Sequence, residues 1–168
     1  MNALTTQEAG EMSTAMLIDY IVQRFHTGHR DQLPELIHMA RRVGQVHADH
    51  SDCPRGLADM LETHYQELES HMLKEEQILF PLLRGGAKHE ARVPISVMLV
   101  EHDQHLTAIE RIHALTQGLD LPDGACGTWR RLYEGLSHYV GELQLHIQTE
   151  NDVLFAKALE AAQGGEHA

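Results

Sequence analysis

Cysteine is nearly absent: Cys53 and Cys126 are the only two in 168 residues, which excludes a disulfide framework and a zinc site built from cysteine alone. A reducing compartment, the cytoplasm, is expected. Proline (5) and aromatics (5%) are too sparse for a β-sandwich, while 42% hydrophobic residues supply a core that a disordered chain would lack. Basic residues are scarce as well. Thirteen Lys and Arg face 25 Asp and Glu, a net charge of −12, so phosphate backbones and anionic membranes are repelled and neither nucleic acid nor a membrane is expected as partner. No apolar run reaches the ~18 residues of a membrane span, and the first ten residues have no basic stretch followed by an apolar one. The length suits one domain. What is abundant is histidine, 14 in all, the commonest metal ligand and the proton carrier that titrates near neutrality.

Apolar residues recur with helical period throughout, and no alternating run is long enough for a strand. The class is all-α. Breaks at 51–54, at 84–86 with Pro94 beyond, and at 118–124 leave four long segments of about 17–50, 55–83, 94–116 and 123–162. Pro34 and Gly28 fall inside the first, so it is expected either to kink or to split near Phe25 or His26. Short connections make the segments an up-down antiparallel four-helix bundle over 15–162, with a short extra N-terminal helix or a kinked first helix. Residues 1–14 and 163–168 are expected to be flexible.

Leu68, His71, Glu75, Leu79 and Leu82 lie at three- and four-residue steps, and Leu143, His146, Glu150 and Val153 or Leu154 repeat the pattern. Ionisable side chains thus interrupt inward-facing stripes, where they are costly unless paired or bound. His followed by an acid at i+4 is weak evidence alone: roughly two instances are expected by chance, and three occur, at His71, His138 and His146. An internal repeat is stronger. His71 to Phe80 reappears as His146 to Phe155, and His26-Thr-Gly-His29 reappears as His102-Asp-Gln-His105 at almost the same offset along the chain. His138 and Glu142 have no such mate, since Thr63 stands where the His should be, and read as a surface pair. Two hairpins then aim four imidazoles and two carboxylates at one interior volume. Two histidines per ion, two bridging carboxylates and an oxo or hydroxo bridge give each of two ions five ligands, with iron the best fit to nitrogen and oxygen donors in near-octahedral geometry. Spacing does not decide between His26 and His29, or between His102 and His105.

The phrases Met16 to His26, Arg30 to Leu36, Ser70 to Pro81, Pro94 to Met98, Glu101-His102-Asp103 and His146 to Phe155 resemble the repair of iron centres family of haemerythrin-like di-iron proteins, over essentially 15–160. The resemblance implies a haemerythrin-like bundle with an oxo-bridged di-iron site whose ligands are His26, His71, Glu75, His102, His146 and Glu150, both glutamates bridging. It favours His26 over His29, because the family's His is followed four residues later by Arg, here Arg30. It also implies that His47, Glu67 and Glu101 lie beside the metals. The family's common form carries a cysteine-bearing domain ahead of the bundle, and this chain is expected to lack it.

By the same resemblance, the expected role is defence against nitrosative and oxidative stress through repair of damaged iron–sulfur clusters, by iron delivery to iron–sulfur proteins. Binding of nitric oxide or dioxygen at the di-iron site, or reduction of nitric oxide, is the alternative. A metal-binding repair or carrier protein is expected rather than a classical enzyme, as a monomer or weak homodimer. Cys53 and Cys126 are expected to be structural thiols.

Overall fold

The computed structural model describes residues 2–163. Eight α-helices follow in order: α1 Thr6–Glu11, α2 Thr14–Ile21, α3 Thr27–Val46, α4 Leu57–Lys74, α5 Phe80–Arg84, α6 Lys88–Leu115, α7 Gly127–Thr149 and α8 Ala156–Gln163. Three π-helical segments, Val22–His26, Glu75–Leu79 and Glu150–Phe155, join α2 to α3, α4 to α5 and α7 to α8 without a break. The described residues therefore form four long rods, 14–46, 57–84, 88–115 and 127–163, preceded by one short helix. α3 packs on α4 and α7, α4 on α6, α6 on α8, and α2 on α5, which closes an up-down ring of four. This is the bundle that the periodicity implies.

Two local features differ from what the sequence alone implies. The N-terminal stretch expected to be flexible contains α1, because Thr5 and Glu8 form a reciprocal cap: Thr5 Oγ1 accepts from the Glu8 N–H, and the Glu8 carboxylate accepts from the Thr5 N–H at 2.8 Å. Ala9 is buried against the end of the last rod, and Lys157 Nζ donates to the Gly10 carbonyl at 2.6 Å. The third rod starts at Lys88, six residues before Pro94. Proline there forfeits only the bond to the carbonyl of exposed Glu90, which water can satisfy, while the added turn buries Ala91. The irregularity expected near Phe25 or His26 is present as the π segment Val22–His26 between the short α2 and the longer α3, while Gly28 and Pro34 lie inside α3 without interrupting it. The C-terminal stretch expected to be flexible, 163–168, lies outside the described residues except for Gln163, which ends α8.

The turn between α5 and α6 needs glycine. Gly86 sits at φ 75°, where a side chain would be strained, and lets the Ala87 N–H reach the Leu82 carbonyl at 2.9 Å. Along the bundle the apolar core is divided in two. One cluster, centred on Leu68, Trp129, Leu136 and Tyr139, fills the end occupied by α3, α4 and α7. The other, with Ile18, Phe25, Phe80 and Phe155, fills the opposite end. Between them lies a layer of buried polar side chains.

Candidate metal centre

All three π segments lie at this polar layer. His26 ends the first, and Glu75 and Glu150 begin the second and third. A π turn inserts an extra residue and rotates everything beyond it, a device concentrated at functional sites. Its effect is visible past Glu75: Phe80 and Leu83 are buried, whereas Leu82, placed on the inner face by an unbroken α-helical count, is only half-buried.

The ligand-forming atoms of His26, Glu75, His146 and Glu150 lie within 4.8 Å of one another, and so do those of His71, Glu75, His102 and Glu150. The two sets share both carboxylates. Each takes one imidazole from each hairpin, so neither hairpin alone forms either set. The six side chains are buried. Their converging atoms, Nε2 of the four histidines and all four oxygens of Glu75 and Glu150, have no hydrogen-bond partner. His26 Nε2 stands 3.1 Å from Glu75 Oε2, and His71 Nε2 stands 3.3 Å from Glu75 Oε1. Eight unpartnered nitrogen and oxygen donors facing one volume are costly in a protein interior unless a cation occupies it. The donor set fits two ions that take nitrogen and oxygen ligands.

Electrostatics agree with that fit. Burial and the adjacent Glu150 carboxylate push Glu75 well above the usual carboxylate range. Burial pushes Glu150 the same way, but His146, its contact with Glu75 and His102 outweigh it and hold it well below. One interior volume does not tolerate two bare carboxylates without added positive charge. Burial first, and neighbouring imidazoles second, lower His26 to about 4. His71 falls to about 2, chiefly by burial, and His102 is lowered for the same main reason. Their Nε2 lone pairs are thus free at neutral pH, the form in which imidazole binds a metal.

The outward nitrogens are held by other side chains. His26 Nδ1 meets Glu76 Oε2 at 3.1 Å, His102 Nδ1 meets Asn151 Oδ1 at 2.6 Å, and His146 Nδ1 meets His29 Nε2 at 3.1 Å. Phenyl rings back three of the four imidazoles: Phe80 on His26, Phe155 on His102 and Phe25 on His146. The sequence reading missed Glu76 and Asn151, although a signal was present. Each directly follows a repeated glutamate, so the two occupy equivalent places in the internal repeat.

His29 and His105 are buried but belong to neither convergent set. Glu101 lies next to the site, its Oε2 3.6 Å from His71 Nδ1. Glu67 is exposed, one turn before His71, in a cleft of about 460 Å³ shared with His64, Gln104 and Arg111. His47 is not brought to the centre: it caps the C-terminus of α3 with its ring 4.8 Å from that of Trp129. The helix between them places it ~30 Å along the rod from His26. His138 is exposed, and its expected partner Glu142 instead accepts two bonds from Arg24, at 3.1 and 2.8 Å. Both cysteines are free thiols.

Residues 17–158 match the family described as the Hemerythrin HHE cation binding domain. The protein named iron-sulfur cluster repair protein YtfE from Pectobacterium atrosepticum is 50% identical over 149 residues, 89% of this chain and 67% of that protein. Proteins of the same name from Musicola paradisiaca and Salmonella schwarzengrund are 50% and 48% identical, over 85% and 86% of this chain and 64% and 66% of their own length. The chain spans about two thirds of the length of these curated relatives.

Proposed function

The chain belongs to the haemerythrin HHE cation-binding family, and from that premise we propose that it is a non-haem di-iron protein that supports repair of damaged iron–sulfur clusters by delivering iron. The observation that carries the reading is the pair of four-residue sets sharing Glu75 and Glu150. In this reading His26 and His146 would hold one ion and His71 and His102 the other, with Glu75 and Glu150 offering carboxylate oxygens to both. Two iron ions with an oxo or hydroxo bridge would supply exchangeable metal and a site for small ligands. The protein's own contribution is orientation and exclusion of water. Glu76, Asn151 and His29 fix three imidazoles by their Nδ1 atoms, which also makes Nε2 a better donor. Phe25, Phe80 and Phe155 close the surrounding volume. All six ligands come from one chain, so a monomer suffices, with a weak homodimer also compatible. No helix among the described residues is long and apolar enough to cross a membrane. A cytoplasmic setting is part of the proposal, as are damaged iron–sulfur proteins as acceptors.

The same phenyl rings favour a second reading, since apolar walls admit small uncharged diatomic molecules such as nitric oxide or dioxygen. Reduction of two nitric oxide molecules by two electrons and two protons yields nitrous oxide and water. One experiment separates the readings. Iron-loaded protein is mixed anaerobically with an apo iron–sulfur enzyme, and separately with nitric oxide and a reductant. Delivery is expected to rebuild the cluster while the donor loses iron. Absence of rebuilding together with nitrous oxide release would replace delivery by the second reading.

A further inference from the structure

Three of the four converging imidazoles are braced at Nδ1, and the fourth is not. His71 Nδ1 is buried with no hydrogen-bond partner, and Glu101 Oε2, 3.6 Å away, is beyond hydrogen-bond reach. The His71 ring meets other imidazoles, His102 at 4.9 Å and the edge of His105 at 4.7 Å. The cause lies one residue before Glu75. Lys74 Nζ donates to Glu101 Oε2 at 2.7 Å and is closer still to Oε1, so the ammonium takes both oxygens. The corresponding support at His26 is built differently. Arg30 grips Glu76 through two nitrogens, at 2.9 and 3.1 Å, yet leaves Glu76 Oε2 on His26 Nδ1. Here the planar Arg30 fork leaves an oxygen of Glu76 on His26, whereas the compact Lys74 ammonium sits on both oxygens of Glu101. Arg30 is anchored in turn by Glu69 at 2.9 and 3.1 Å.

We propose that the two metal positions are unequal: the ion between His71 and His102 is the one given up, and Lys74 sets how readily it leaves by keeping Glu101 off His71. This rests on the iron-delivery reading above and names the exit within it. An imidazole without an acceptor at its outer nitrogen turns more freely and binds less strongly, and removing such an acceptor typically costs about 10- to 100-fold in affinity. The difference between the two positions lies in the brace and not in exposure: Glu101 and Glu76 are 17% and 24% exposed, and His102 is braced by Asn151 and backed by Phe155, so His71 alone of the four lacks both an acceptor at Nδ1 and a phenyl ring on its face. Departure would be a ligand exchange in which the bonds to His71, His102, Glu75 and Glu150 are replaced by bonds to water or to the acceptor, and no electron is transferred.

The test is anaerobic extraction of the ferrous, fully loaded protein by excess of a coloured ferrous chelator, followed by absorbance. Two phases of equal amplitude are expected, with rates at least tenfold apart. Lys74→Met frees Glu101 to accept from His71 Nδ1 and slows the fast phase about tenfold, leaving the slow phase unchanged. Glu76→Leu, which removes the acceptor from His26 Nδ1, quickens the slow phase and leaves the fast one unchanged. A general loss of stability would quicken both phases together, so the selectivity separates positioning from folding. A single phase overturns the proposal, as does Lys74→Met acting on neither phase or on both alike. Extraction needs no acceptor protein, so two phases without cluster rebuilding would overturn delivery and leave the inequality standing. One phase with rebuilding would do the reverse.

Discussion

The Nε2 atom of His29 lies 3.1 Å from Nδ1 of His146. His29 is therefore a brace for an imidazole of the centre, and since His146 Nδ1 donates when its Nε2 binds metal, His29 Nε2 accepts. Its repeat mate His105 packs edge-on against His71, where no equivalent bond forms to Nδ1. The pseudo-twofold relation that holds for the six converging residues thus breaks in the layer around them.

His71→Ala and His146→Ala each lower bound iron well below two per chain, whereas His138→Ala and His47→Ala leave it near the parent value. Metal analysis of the purified variants checks this. Equal loss in all four would mean that the convergent sets do not hold the metal.

Removing the brace weakens the centre without removing a ligand. His29→Leu lowers iron affinity about 10- to 100-fold, and His29→Gln, which keeps an acceptor, recovers part of the loss. Competition against a graded series of chelators measures both, and equal affinities for Leu and Gln would refute the hydrogen-bond role.

The metal-free protein loses stability as pH falls from about 6.5 toward 4. Burial lowers His26 and His64 to about 4, His105 to about 3 and His71 to about 2, and also lowers His29 and His102. These folded-state values lie below those of the unfolded chain, so the unfolded state binds more protons in this window and acid favours it. Each histidine that charges only on unfolding contributes a slope of roughly 1.4 kcal/mol per pH unit. Urea unfolding at a series of pH values measures it, and a flat profile between pH 7 and 5 would contradict it.

Tyr139 and His64 stand or fall as a pair. The tyrosine hydroxyl meets His64 Nε2 at 2.5 Å, both residues are buried, and His64 Nδ1 has no partner. Tyr139→Phe strands the remaining nitrogen and costs ~1–3 kcal/mol, and Tyr139→Phe with His64→Leu costs less than the sum of the two single changes. Denaturant midpoints of the four proteins decide the matter.

Much of the site was legible because helical period and the internal repeat act together. Leu68, His71 and Glu75 share a face at any register the helix can take, and the later copy of the pattern imposes the same choice on His146 and Glu150. Residues past the glutamates were less legible. Each π segment adds a residue that an α-helical count does not contain, which moved Leu82 off the inner face and Phe80 and Leu83 onto it. α1 was legible in principle from Thr5 and Glu8, but its stability depends on docking against the last rod, a contact between opposite ends of the chain.

The sequence by itself determined an all-helical bundle and placed His71, Glu75, His146 and Glu150 on its inner faces, because periodicity and repetition are properties of one dimension, while His26 and His102 were singled out by the family resemblance. Only the tertiary structure decided which imidazoles share a position, since His26 joins His146 and His71 joins His102 across hairpins. It also separated His29 from His26, carried His47 to the far end of the bundle, and gave Glu101 to Lys74 rather than to His71. Those outcomes depend on angles and distances between rods, which spacing along a chain does not contain.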